Sequence, residues 1–227
     1  MDTDTLKRQL TEWGVRGAEA YCAKLRSNAR NPEVHGDFLS EAAAAIMFAA
    51  AGFIVEMRDS PDLWLTGFGQ SVAAEVKHFR FKRQDSIDDV ALRSYDDYLV
   101  EFGDTRLRED CAAWDQVADV ARQKASKFRG VGPYLLVIQS SSPHEIDDLV
   151  VRTAVNIVDE EASADSDAAV ARLSGIVLLS PESRFPDGRN VYFFECRASQ
   201  QPICPPLREA LKGMRRWRFN IIGDFAL

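Results

Sequence analysis

The sequence predicts an α/β fold, a mixed central sheet flanked by helices, with extra helices at both ends of the chain. Three observations carry this. A helix-like run at 37–51 precedes strand-like runs at 53–57, 63–65 and 72–76. A helix-period stretch at 114–128 follows, with Trp114, Val117, Ala118, Ala121, Ala125 and Phe128 as its apolar stripe. A continuous apolar run, 134–138, then reads as a buried strand. The order αβββαβ spans about 37–140. With 227 residues, 46% of them apolar, the expectation is a single domain over 1–227.

Residues 4–26 read as one amphipathic helix, with Leu6, Leu10, Trp13, Ala18, Tyr21, Cys22 and Leu25 at helical spacing. Gly14 and Gly17 weaken its middle. Residues 27–36, with Asn31-Pro32, are a polar connector. The run 37–51 is nearly apolar after Glu41 and is closed by Gly52. Such a helix is buried over most of its surface, so a carboxylate in its first exposed turn is positioned rather than free. An acid there also suits the helix dipole.

The most informative stretch follows. Asp62 opens the run Leu63-Trp64-Leu65, Gly67 and Gly69 suit a hairpin turn, and 72–76 returns as a second strand. Side chains two apart on a strand share a face. Glu75 and Lys77 therefore point together, Val76 points into the core, and His78 takes the opposite face. If the hairpin closes, Asp62 sits beside Glu75. Two carboxylates and an ammonium group at one sheet edge make a small hard-cation site with a proton handler. The same residues also suit an ordinary hairpin with a surface ion pair from Lys77 to Glu75 or Asp62.

Pro61-Asp62 and Glu75-Val76-Lys77 resemble the PD-(D/E)xK nuclease superfamily. Glu75-Val76-Lys77 is the one acid-x-lysine triplet in the chain. The resemblance implies a restriction-endonuclease-like αβββαβ core, with Glu41 as the glutamate of the first core helix. It implies catalysis by Asp62, Glu75, Lys77 and Glu41, and Mg2+ (or Mn2+) held by Asp62, Glu75 and the Val76 carbonyl. Lys77 would orient or deprotonate the attacking water. The helix at 114–128 would lend a polar residue, Gln116 or Gln123. A homodimer that pairs two sites is a further implication.

Beyond the motif, Arg80, Lys82 and Arg83 alternate with aromatic residues and suit phosphate contacts. The charged stretch 82–110 reads as an insertion, either a flap over substrate or a solvated excursion. A turn at 140–143 leads to an amphipathic helix at 145–158 and an acidic loop at 159–167. Strands at 175–179 and 191–196, with 186–189 as the loop between them, extend the sheet, mostly antiparallel. The C-terminal part, about 173–220, ends in a basic helix at 207–217 carrying Arg208, Lys212, Arg215 and Arg216, with Arg218 just beyond. That helix suits a DNA backbone or a protein partner, and equally a solvated face.

Composition bounds the function. The net charge of −7 runs against the usual basic excess of nucleic-acid binders, although only the local field along a groove decides phosphate binding. Cys22, Cys111, Cys196 and Cys204 have no zinc spacing and read as buried free thiols of a reducing, cytoplasmic compartment. No apolar run approaches a membrane span. There is no Gly-x-Ser-x-Gly elbow and no phosphate-binding Gly-Lys-Ser/Thr loop. The expectation is a metal-dependent nuclease acting on DNA, with RNA also open. The alternative is a nucleic-acid-binding or interaction module, inactive or dependent on a protein partner.

Overall fold

In a computed structural model, residues 3–79, 112–140, 146–182 and 185–214 are described. The expected insertion at 82–110, Arg80, Lys82, Arg83, Cys111, the expected 140–143 turn apart from Ser140, and the basic residues after 214 lie outside them.

The elements run α1 (Thr3–Glu12), α2 (Ala18–Ser27), α3 (Pro32–Ala50), β1 (Ile54–Met57), β2 (Leu63–Gly67) and β3 (Gln70–Phe79). Then come α4 (Ala113–Lys127), β4 (Tyr134–Ser140), α5 (Asp148–Ala164), β5 (Gly175–Glu182), β6 (Phe185–Glu195) and α6 (Pro205–Gly213). One six-stranded sheet takes the order β1-β2-β3-β4-β5-β6. Its outer pairs are antiparallel, whereas β3–β4 and β4–β5 are parallel. The protein is thus an α/β structure with an open mixed sheet flanked by helices. The parallel pairs follow from the crossovers through α4 and α5, since parallel neighbours cannot be joined by a hairpin.

The sheet divides two apolar clusters. One joins α1, α2, α3 and α6 to alternate residues of the sheet, including Leu63, Val72, Ala74 and Val76. The other joins α4 and α5 to Ala73, Tyr134, Leu136, Ile138, Ile176 and Leu178. Every residue of β4 is buried, so its apolar run is continuous rather than alternating.

Two glycines set the entry to this sheet. Gly52, at φ +92°, closes α3. Its N–H donates to the Ala49 carbonyl and Phe53 N–H to the Phe48 carbonyl, both at 3.0 Å. This Schellman pairing is accompanied by an edge-to-face contact of Phe53 with Phe48 at 5.5 Å. The β2–β3 turn is Phe68-Gly69, at φ +52° and +84°. Two positive φ values suit the twist of a two-residue hairpin. The Phe68 ring packs on Phe53 at 5.0 Å, which helps hold the less favourable of them.

Several boundaries differ from those expected. Residues 4–26 are two helices, not one, because Gly14 and Gly17 both adopt positive φ between them. Helix α3 begins at Pro32, which takes in much of the predicted connector and moves Glu41 from the first turn to the third. A helix-dipole role for Glu41 is therefore excluded, since that effect fades beyond the first turn. Helix α5 continues through most of the expected acidic loop. There Glu161 accepts from Arg122, and Asp159 accepts from the N–H groups of Arg197 and Ala198. The stretch 186–189 belongs to β6, not to a loop, with Arg189 opposite Pro181. Cys22 and Cys196 are buried free thiols, but Cys204 is only half-buried. Among the described residues no helix is long and apolar enough to cross a membrane.

Candidate active site

Strand β2 begins at Leu63, opposite Ala74, so β3 continues past its neighbour toward Phe79. Asp62 stands at that step. Its carbonyl accepts from Arg58 N–H at 2.9 Å, and its Oδ2 accepts from Val76 N–H at 2.8 Å. The carboxylate thus replaces the strand partner that β2 no longer supplies. In an extended strand the N–H and C=O of one residue face the same neighbour. The Val76 carbonyl therefore also faces the open step, while its side chain is buried on the α3 side.

The hairpin register carries Asp62 to a position beside Glu75. The two carboxyl groups act on each other directly, and Asp62 is pushed up to about 6 by burial first and the Glu75 charge second. Glu41 approaches from α3. Burial, then the Asp62 charge, push it up to about 8, while a hydrogen bond with Tyr21 pulls it down. Tyr21, from α2, donates its hydroxyl to the Phe38 carbonyl and packs edge-on against the Phe38 ring at 5.3 Å. A protonated Glu41 can donate to that phenol oxygen.

The cation on Glu75 comes from α4. Lys124 Nζ lies 2.6 Å from Glu75 Oε2, with the two side chains 25% and 17% exposed. Its pKa is raised. Burial is the largest influence and acts downward, but Glu75, Asp62 and Glu41 together outweigh it. Lys77 shares the strand face of Glu75 and is half-buried, yet among the described residues it makes no ion pair with either acid. His78 takes the opposite face, 6% exposed, with Nδ1 3.9 Å from Asp37 Oδ1.

The structure therefore sets Glu75 and Glu41 each in the field of Asp62, with the Val76 carbonyl facing the same step and Lys77 on the strand face of Glu75. Gln116 is half-buried on α4, and Gln123 is exposed. Sequence reasoning missed Lys124 as the residue α4 contributes, and missed Tyr21. The spacing did contain a signal. Lys124 follows the buried Val117 and Ala121 by seven and three residues, which puts it at the border of the apolar stripe.

The donors are all oxygen, which suits a hard cation such as Mg2+ or Mn2+ and not zinc. Asp62 and Glu41 are both raised by burial first and by a neighbouring carboxylate second, and only that second influence is one a cation would relieve. The Tyr134 hydroxyl adds to this. It is buried, has no hydrogen-bond partner among the described residues, and lies in the field of Glu75 and Asp62, which adds to burial in raising its pKa. The residues thus fit a divalent ion, although among the described residues no three acidic, histidine or cysteine groups converge enough to hold one as they stand. No family model, curated protein or solved structure matches the chain.

Proposed function

We propose that the protein is a metal-dependent nuclease of the PD-(D/E)xK type, with a restriction-endonuclease-like core, that hydrolyses phosphodiester bonds in DNA. The observation that carries this reading is that Asp62, at the step where β2 begins and β3 runs on, interacts with both Glu75 and Glu41.

Asp62, Glu75 and the Val76 carbonyl would hold Mg2+ or Mn2+. Bound there, the ion supplies charge stabilisation and a water of lowered pKa. The chain's own groups do the rest. Asp62 is fixed by its bond to Val76 N–H, so its second oxygen is presented without loss of side-chain freedom. Lys77, on the face of Glu75, orients the attacking water. Glu41, in the field of Asp62, would hold a water at the ion or support a second ion. Half-burial of the cluster strengthens each of these interactions.

The test uses supercoiled plasmid and single-stranded DNA with Mg2+, Mn2+ or EDTA. Wild type should cut with metal and not in EDTA. Asp62→Asn, which keeps an acceptor for Val76 N–H but loses the charge, should retain its melting temperature and lose cleavage by about 100-fold or more. Lys77→Ala should also lose cleavage. Undiminished cleavage by Asp62→Asn would remove this site from the reaction.

A further inference from the structure

Glu75 carries the acid of the strand motif, yet its partner is not the motif lysine. Lys124 reaches it from α4 in a short, charge-assisted bond, 2.6 Å from Nζ to Oε2. The charges of Asp62 and Glu41 act on the same ammonium group. One ammonium thus pairs with Glu75 and stands in the field of two further carboxyl groups. It also occupies one of the two carboxylate oxygens that Glu75 could offer a divalent ion. A second observation points to a guest at this place. The fully buried Tyr134 hydroxyl, on the same sheet face as Glu75, has no hydrogen-bond partner among the described residues and lies in the field of Glu75 and Asp62. An oxygen-rich guest such as a hydrated cation or a phosphate would give that phenol something to bond.

We infer that Lys124 is a built-in competitor for the divalent ion: it holds Glu75 in the metal-free protein and must leave it when the ion binds. This rests on the metal-site reading of the cluster. Lys124 therefore sets the metal affinity. Once released, its ammonium group stays tethered on α4 within the field of Asp62 and Glu41, placed to meet a phosphate oxygen of the substrate.

The experiment titrates Mn2+ into full-length protein without DNA and follows the free ion by electron paramagnetic resonance. Lys124→Met keeps the aliphatic stem and removes the charge. It should bind Mn2+ more tightly than wild type, on the order of tenfold. Glu75→Gln should weaken binding and abolish the difference. Equal or weaker binding by Lys124→Met, or binding by neither protein, overturns the inference. Should that variant not fold, wild type alone decides the question. Acetylation by an N-hydroxysuccinimide ester, read by peptide mass spectrometry, should rise several-fold at Lys124 on adding Mn2+, relative to the exposed Lys127 on the same helix. Unchanged labelling at Lys124 overturns it. The nuclease reading is scored separately. Tighter Mn2+ binding by Lys124→Met with no DNA cleavage by wild type upholds the competition and removes the nuclease. Cleavage with unaltered affinity does the reverse.

Discussion

An unfolded Glu41 loses its proton near 4.5, whereas the folded chain holds it up to about 8, because burial and the Asp62 charge disfavour the carboxylate. Between those values the native state binds the extra proton, so stability falls as pH rises. Asp62 acts with the same sign between 3.8 and about 6. The contribution is complete below pH 4 and gone once pH passes 8. At about 1.4 kcal/mol per unit, the Glu41 part is on the order of 5 kcal/mol. Metal-free protein should therefore show a melting temperature that declines from pH 5 to pH 8. Glu41→Gln, which is neutral throughout, should flatten most of that slope and be more stable than wild type at pH 8. A slope unchanged in Glu41→Gln would mean that the carboxyl group is not held as described. The motif acids were legible because a strand fixes neighbours by parity, so Asp62, Glu75 and Lys77 could be placed from spacing alone. Tyr21 and Lys124 were not, since both reach the cluster through helix packing: helix spacing puts Lys124 at the border of a stripe but does not say which carboxylate it meets.

At the scale of the element, the N-terminal helices show where periodicity misleads. The apolar spacing in 4–26 survives the break between α1 and α2, because both helices bury the same kind of stripe. Two glycines instead turn the chain so that Arg16 can lie along β1. Arg16 N–H donates to the Val55 carbonyl and Met57 N–H to the Arg16 carbonyl, each at 2.9 Å. This bridge occupies part of the free edge of the sheet. Gly17, at φ +81°, makes it possible, since a Cβ there would lie 2.6 Å from the Met57 carbonyl oxygen. Gly14, at φ +68°, faces open space. The two substitutions to alanine should therefore differ. Gly14→Ala bears only the left-handed backbone penalty, about 1 kcal/mol. Gly17→Ala adds a backbone clash and should lose about 3 kcal/mol or more. Urea denaturation of both variants checks this, and equal losses would show that the approach to Met57 does not matter. Because α2 carries Tyr21 to Glu41, Gly17→Ala should also disturb the candidate site, whereas Gly14→Ala should leave it intact.

For the whole molecule, the sheet is a partition. The sequence predicted its αβββαβ centre because β4 opens on a continuous apolar run, 134–138, and each flanking helix has a clear stripe. It did not fix how β5 and β6 join, since β5 pairs in parallel with β4 through α5 while β6 returns antiparallel. Short apolar runs alone do not distinguish those pairings. Nor did it show that α6 docks at the opposite end of the chain's path. There the Gln70 side chain accepts from Cys204 N–H at 2.8 Å, and Arg208 pairs with Glu195 at 2.6 Å. The partition has an energetic consequence. Leu63 lies fully buried in the cluster shared with α1, α2, α3 and α6, and Leu136 fully buried in the cluster shared with α4 and α5. Each Leu→Ala change opens a cavity in one compartment and should lose about 2–5 kcal/mol. The strands β2 and β4 are separated by β3, and the two side chains point to opposite faces, so neither cavity can relax into the other. The double variant should therefore lose the sum of the single losses to within about 0.5 kcal/mol in urea denaturation. A larger coupling would mean that β3 transmits packing strain across the sheet. In that case the acid cluster on β3, which lies between the two compartments, would respond to core changes on either side.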